Sequence, residues 1–313
     1  MDPITHGVVG LAIAAFTGEA VAIANPYAIG SLIGAVIPDA DIIMQFRGDY
    51  SYLKNHRGMS HSIPFIFLYG IAVASLLAII NPGVSLLKLF LYTLSGCASH
   101  ILVDIANPYG AQVLWPIVKK RYTLNLLLVY DPFLIIISSM IIFPFLRSII
   151  HPGVSIGVFT LYLVFRYWMK NHAKKIVKSN LGRHQHILSL KVLPSMAGLV
   201  NWHYIVKIKG KTIIGEVNII PKRFTIIETM DDLDNKLIKA VSRTRVAEFF
   251  SEFTPAFHIK CNKTNDGYEY DFIDLRYYIA KDFLHHATAV LDENFKLVTS
   301  IFHPYRRTRN VEL

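Results

Sequence analysis

Charge is scarce in this chain. Only 17% of its 313 residues are Asp, Glu, Lys or Arg, against roughly 25% in soluble globular proteins. With 53% hydrophobic residues and a mean hydropathy of +0.39, that shortage excludes an ordinary soluble domain over the whole length and predicts a membrane protein. Cysteine is scarcer still. Cys97 and Cys261 are the two present, which excludes a disulfide framework, and Cys97, inside an apolar run, is expected to be a small core residue. A basic stretch ahead of the first apolar segment is also missing, since "MDPITHG" has Asp2 there. No cleavable signal peptide is therefore expected, and the first apolar segment should stay in the mature protein. No internal repeat or low-complexity tract is evident.

What charge there is lies unevenly. Residues 1–170 hold 10 Lys/Arg and 7 Asp/Glu, and residues 171–313 hold 22 and 15. The pattern predicts an all-α multi-helix integral membrane domain over 1–170, followed by a small β-rich (α+β) soluble domain over 171–313. A bilayer core takes roughly 20 apolar residues per helix. Six segments are expected, at about 7–24, 27–44, 62–80, 85–104, 131–150 and 154–170, the first interrupted by Gly18 and Glu19. The loops "QFRGDYSYLKNHR" and "WPIVKKRYT" and the stretch after segment six are basic. Lys/Arg-rich loops stay in the cytoplasm, so a multi-pass protein of the inner or plasma membrane with both termini cytoplasmic is expected. In the tail, "ILSLKVL", "WHYIVKIK", "TIIGEVNII", "RFTIIE", "AFHIKC", "EYDFIDLR", "ATAVLDE" and "FKLVTSIF" predict strands. "DDLDNKLIKAVSRTRVAEFF" predicts one helix with Asp-rich capping residues. Trp202 and Tyr204 should pack in the tail's core. The tail histidines, His184, His186, His203, His258, His285, His286 and His303, have no carboxylate or cysteine spacing that completes a metal site and are expected at the surface.

Ionisable groups in membrane segments are expensive, which makes them functional candidates. On the six-segment reading, His6, Asp39, Asp41, His56, His61, His100, Asp104 and Asp131 all fall at the cytoplasmic level. Random placement would scatter them over both faces. Asp39 and Asp41 follow Pro38, which should end the α-helix there. His100 and Asp104 are four apart and share a helical face. His56 and His61 flank Gly58, and Asp131 precedes Pro132 at a helix start, where plain capping is the simpler role. Imidazole with carboxylate suits zinc and related divalent ions. Arg57 beside them has the fork geometry that matches phosphate.

The motifs "THGVVG", "IPDAD", "HRGMSHS" and "SHILVD", in that order over roughly residues 1–135, resemble the YdjM/YfhP-type family of membrane-bound proteins classed as metal-dependent hydrolases. The tail around "LPSMAGLVNWHYIVKIKGKTIIGEV" is similar to the C-terminal part of the YfhP-like subgroup. The resemblance implies a distant relation to zinc-dependent phospholipase C and hence phosphoester hydrolysis. It implies His6, Asp39, Asp41, His56, His61, His100 and Asp104 as ligands. Position 60 is Ser where the motif often has Thr.

The leading expectation is therefore a divalent-metal hydrolase, with zinc first among the metals, acting on a phospholipid-like or other phosphoester at the cytoplasmic leaflet. Asp39 or Asp41 would act as general base, and Arg57 would neutralise phosphoryl charge. Gly7 and Gly10 would let helices approach closely. The alternative is a non-catalytic membrane regulatory or interaction protein whose polar cluster, with or without metal, ties helices together. The tail's net charge of +7 permits contact with anionic lipid, but the charges are scattered among strands, and nucleic acid is not an expected partner. The basic end "HPYRRTRNVEL" suits a membrane contact or a disordered terminus equally. An ion or proton carrier is disfavoured, because the outer halves of the segments hold little polar besides Glu19, whereas a pathway needs polar groups along its depth.

Overall fold

The computed structural model describes residues 2–143, 145, 152–182, 186–196, 198–279 and 281–312. It divides into two compact units, one of residues 1–43 and 55–167, the other of residues 44–54 and 168–313.

The first unit is helical. Its helices are α1 (Pro3–Phe16), α2 (Pro26–Val36), α4 (Ile63–Ile80), α5 (Leu86–Ala106), α6 (Pro132–Ile142) and the first part of α7 (Pro152–Asn180), with α3 (Asp49–Asn55) falling mostly in the other unit. Three stretches are long and apolar enough to cross a membrane: Pro26–Arg47, Ile63–Ile80 and Leu86–Ala106. Two of the expected segments are shorter. Asp2 caps α1 through the Thr5 amide, and the helix stops at Phe16 because Gly18 turns the chain at a φ of 98°. Segment five begins as α6, capped by Asp131, and 144 and 146–150 lie outside the described residues. The α-helical part of Pro26–Arg47 ends at Val36, just before Pro38, whose ring cannot continue the ladder. The chain goes on as a 3-10 helix, Ile37–Arg47.

Small residues set the helix spacing, as in other membrane bundles. A Cβ on Gly34 would lie 2.2 Å from Thr93 O, and one on Gly96 would lie 2.2 Å from Ser31 O. The backbones of α2 and α5 thus touch directly. Gly10 does the same for α1, with Ser31 Oγ donating to its carbonyl at 2.7 Å. Cys97 is fully buried. On α4, Ile71, Leu76, Ile79 and Ile80 are exposed, an apolar outer face suited to hydrocarbon rather than water.

The second unit holds two antiparallel sheets. One is a meander of β1 (Ser189–Pro194), β2 (Asn201–Ile208), β3 (Lys211–Asn218) and β4 (Arg223–Asp231). The other runs β11–β10–β9–β6–β5, where β5 is Phe257–Thr264, β6 Gly267–Asp274, β9 His286–Asp292, β10 Leu297–His303 and β11 Val311–Glu312. A short hairpin, β7 (Tyr278–Ile279) with β8 (Asp282–Phe283), lies between. All eight expected strands are present. Period-two alternation explains the packing. Trp202, Tyr204 and Val206 of β2 pack with Met169, Ala173 and Val177 of α7, and Ile205 joins Ile214, Ile273 and Leu275 in a separate cluster. The expected long helix is two, α8 (Asn235–Val241) and α9 (Arg245–Phe253), because Thr244 starts the second by accepting from the Ala247 amide. Val246, Phe249, Phe250 and Phe253 form its buried stripe. Residues of the connecting strip 44–54 belong to that core. Leu53 is buried in it, Tyr50 lies 5.0 Å from Phe249 between ring centres, and Arg309 pairs with Asp49.

Two expectations for the tail are corrected. His203, His258, His285 and His286 are buried, not at the surface. Strand positions turn His203, His258 and His286 inward, where carbonyl oxygens accept from them: Leu275 O for His203, Asp231 O for His258 and Phe283 O for His286. His184 lies outside the described residues. The basic C-terminus is not a loose end, since Arg307 bridges Asp271 and Asp282, both at 3.1 Å.

Burial holds His203 and His285 down to about 4 from an ordinary 6.5. The unfolded chain therefore takes up protons that the folded one refuses between those values, and stability falls as pH drops through that window. Each imidazole contributes at most about 3 kcal/mol across it. Thermal unfolding of the full chain should show a lower midpoint at pH 5 than at pH 7.5, and His285→Gln should flatten that fall.

Candidate metal centre

Four side chains from three segments of the first unit converge on one point. Asp39 comes from the 3-10 helix after α2, His61 from a 3-10 turn (Met59–His61), and His100 and Asp104 from successive turns of α5. One ligand atom of each lies within 4.8 Å of all the others. His61 Nε2 is 3.4 Å from both Asp39 Oδ1 and Asp104 Oδ2. His100 Nε2 is 3.5 Å and 3.7 Å from the same two oxygens. The two Nε2 atoms are 3.0 Å apart.

Those separations have a physical meaning. For ligands 2.0–2.2 Å from a zinc ion, the edge of a tetrahedron is about 3.3–3.6 Å. The four atoms are therefore already close to the spacing of a four-coordinate shell.

Outer contacts fix which nitrogens face inward. His100 Nδ1 donates to Ala35 O at 2.7 Å, across the close α2–α5 contact. Ser60 Oγ donates to Asp41 Oδ2 at 2.8 Å, which leaves it to accept from His61 Nδ1 at 2.9 Å. Both Nε2 atoms then carry lone pairs and point at each other and at two carboxylate oxygens. Asp39 Oδ1 is buried and makes no hydrogen bond. Two imidazole lone pairs and two carboxylate oxygens this close repel one another, with Arg57 offsetting this only at Asp104, and a cation at their centre reverses the sign.

The other expected residues lie around this core. His6 stacks on His100 with ring centres 3.7 Å apart, and its Nε2 is 3.3 Å from Asp104 Oδ1. Asp41 and His56 form a pair at 2.8 Å and, with Asp39, a second group of ligand type. His56 and Asp39 are the more open members, with side chains 18% and 12% exposed against 0% for His61, His100 and Asp104. Arg57 is buried, its Nε 3.1 Å from Asp104 Oδ2 and its Nη1 donating to Asn107 Oδ1 at 3.0 Å. Its backbone is left-handed at a φ of 60°, a strained conformation for a non-glycine residue. The Arg57 amide donates to Asp41 Oδ2, and its carbonyl accepts from the Gln112 amide. Asp131 stands apart, capping α6 and accepting from Tyr162 Oη at 2.8 Å.

Burial pushes the His56 imidazole below its usual range, and the Asp41 bond only partly offsets this. Burial alone would also lower His61, but the Asp104 and Asp39 carboxylates outweigh it and raise it. The electrostatics at His61 therefore favour positive charge in the cluster.

Sequence reading missed Ser60 and Asn107 as supports. Asn107 donates to Asp104 Oδ1 at 3.0 Å while accepting from Arg57. Its signal was faint: an amide three residues beyond an intramembrane acid, just before Pro108.

A family profile described as YdjM inner membrane protein matches residues 1–173, and one described as YfhP C-terminal alpha/beta plait domain matches residues 236–311. A protein named Uncharacterized protein YfhP, from Bacillus subtilis (strain 168), is 30% identical over 292 residues, covering 88% of this chain and 87% of its own. No solved structure matches.

Proposed function

The chain belongs to the YdjM inner membrane protein family, and on that premise we propose that it is a multi-pass, divalent-metal-dependent phosphoester hydrolase working at the cytoplasmic face. The basic loops support cytoplasmic termini. The observation that carries the metal is the set of His61 Nε2 and His100 Nε2, 3.0 Å apart and each 3.4–3.7 Å from Asp39 Oδ1 and Asp104 Oδ2. Two imidazoles with two carboxylates suit zinc.

When bound, such an ion supplies Lewis acidity and acidifies water. The chain's own residues supply the rest. Asp41, braced by Ser60 and paired with His56 on the more open side, is the proton acceptor in this reading. Arg57 orients Asp104 and adds the positive charge that a phosphoryl group requires. His6 closes the cluster from α1.

A second reading, a closed metal or polar cluster that only ties helices together, is favoured by the full burial of His61, His100 and Asp104, since structural sites are closed. One experiment separates the two. The protein is purified in detergent, its metal is measured by mass spectrometry, and release of nitrophenol from bis-(p-nitrophenyl) phosphate and of headgroup from phosphatidylglycerol is followed. Turnover lost with chelator, restored by zinc and absent in His61→Ala is the expected result. Stoichiometric metal without turnover on either substrate would leave the structural reading standing.

A further inference from the structure

An apolar cleft opens between four helices of the first unit. It has a volume of about 440 Å³, within the range of ligand sites. α1 contributes Val9 and Phe16, α5 Leu102, α6 Ile137 and Ile141, and α7 Phe159. No lining residue is charged. The space exists because each helix also contributes a small residue: Ala12, Ser99, Ser138 and Ser155. The Ser99 hydroxyl is already turned back to Gly96 O at 2.7 Å, so it does not make that wall polar.

The cleft and the metal cluster share two helices. On α1, Val9 and Ile13 follow His6 at three and seven residues, one face of a helix. On α5, Val103 lies one turn from His100 and Ser99 precedes it, so cleft and ligands occupy adjacent faces. From Val9 to Phe16 the wall runs about 10 Å. An apolar cleft of that length, built from membrane helices, suits hydrocarbon better than water, which finds few polar partners there.

We infer that this cleft binds one acyl chain of a bilayer glycerophospholipid, with the phosphate end of that lipid toward His6. The chain site stands on the cleft itself, and the placement of the phosphate rests on the hydrolase reading above. The substrate of that site is then a membrane lipid rather than a soluble phosphate ester.

The test uses the full chain in vesicles of phosphatidylethanolamine and phosphatidylglycerol, doped with phosphatidylglycerol carrying a diazirine on one acyl chain. After photolysis the labelled peptides are mapped. Labelling at Ile137, Ile141 and Phe159 should exceed that at Ile71, Leu76 and Ile79, the exposed face of α4. Ala12→Leu and Ser138→Leu should each lower cleft labelling about tenfold, equivalent to excluding about two methylenes, and leave α4 labelling unchanged. Cleft labelling no higher than on α4, or undiminished in both folded variants, overturns the inference. If neither variant folds, the wild-type ratio decides. A hydrolysis arm keeps the two claims apart. Ser138→Leu should lower headgroup release from long-chain phosphatidylglycerol several-fold more than from the dibutyryl form. Enriched cleft labelling in a wild type that hydrolyses neither lipid supports the chain site and overturns the hydrolase reading alone.

Discussion

Asp104→Asn should deprive the proposed centre of its metal and unfold the first unit at a markedly lower temperature. Asp104 is fully buried and serves at least five other groups at once: His6, His61 and His100 by close approach, Arg57 by an ion pair and Asn107 by a hydrogen bond. The amide removes the charge that balances Arg57, and leaving a buried cation without its partner costs about 3–5 kcal/mol. It also removes one of four inward-facing ligand atoms. Loss of an outer-shell support alone weakens metal binding about 10–100-fold, so loss of a ligand should exceed that. Metal per protein, by mass spectrometry, and the unfolding midpoint in detergent are the two readouts. Asp131→Asn is the control, an equally buried acid that lies outside the cluster and whose amide can still cap α6. Asp104→Asn with full metal would place the ion elsewhere.

The largest effect in the second unit is expected at Asp274. Its carboxylate receives Arg276 Nε at 2.9 Å and Nη2 at 2.8 Å, and Thr254 Oγ at 2.9 Å, with both charged residues buried. Asp274→Ala should destabilise this unit by about 3–5 kcal/mol, while the double exchange with Arg276→Met should recover part of the loss, because it leaves no buried charge behind. Denaturant unfolding followed by Trp202 fluorescence measures both. Burial alone would raise the Asp274 carboxyl, but the Arg276 charge outweighs it and holds the group below the usual carboxylate range. The stabilisation is therefore present above the ordinary carboxyl value and is lost as pH falls through the depressed one. If the single and double variants were equally unstable, the loss would come from packing rather than from an orphaned charge.

Much of this was legible because of contrast. An imidazole or carboxylate among apolar residues stands out, and the interval of four between His100 and Asp104 fixes a shared face. Pro38 announced the end of α2, and period-two alternation announced the strands. What stayed hidden depends on contacts between residues far apart in the chain. Nothing near His203 signals that its proton goes to a carbonyl 72 residues away. Ser242 and Arg243 carry no breaker, so the split between α8 and α9 rests on the Thr244 cap. The Ala35 carbonyl, which fixes His100, is backbone and has no sequence signature. The ion pairs of Arg307 and Arg309 could not be read from the sequence, because their acids, Asp271, Asp282 and Asp49, are remote in it.

The strip 44–54 has a consequence for the history of the molecule. Asp41 hangs from one end of it and His56 from the other, and its middle supplies Tyr50 and Leu53 to the interior built by Phe249 and Phe302. A gene shortened after Asn180 would leave Tyr50 and Leu53 without the aromatic side chains they pack against.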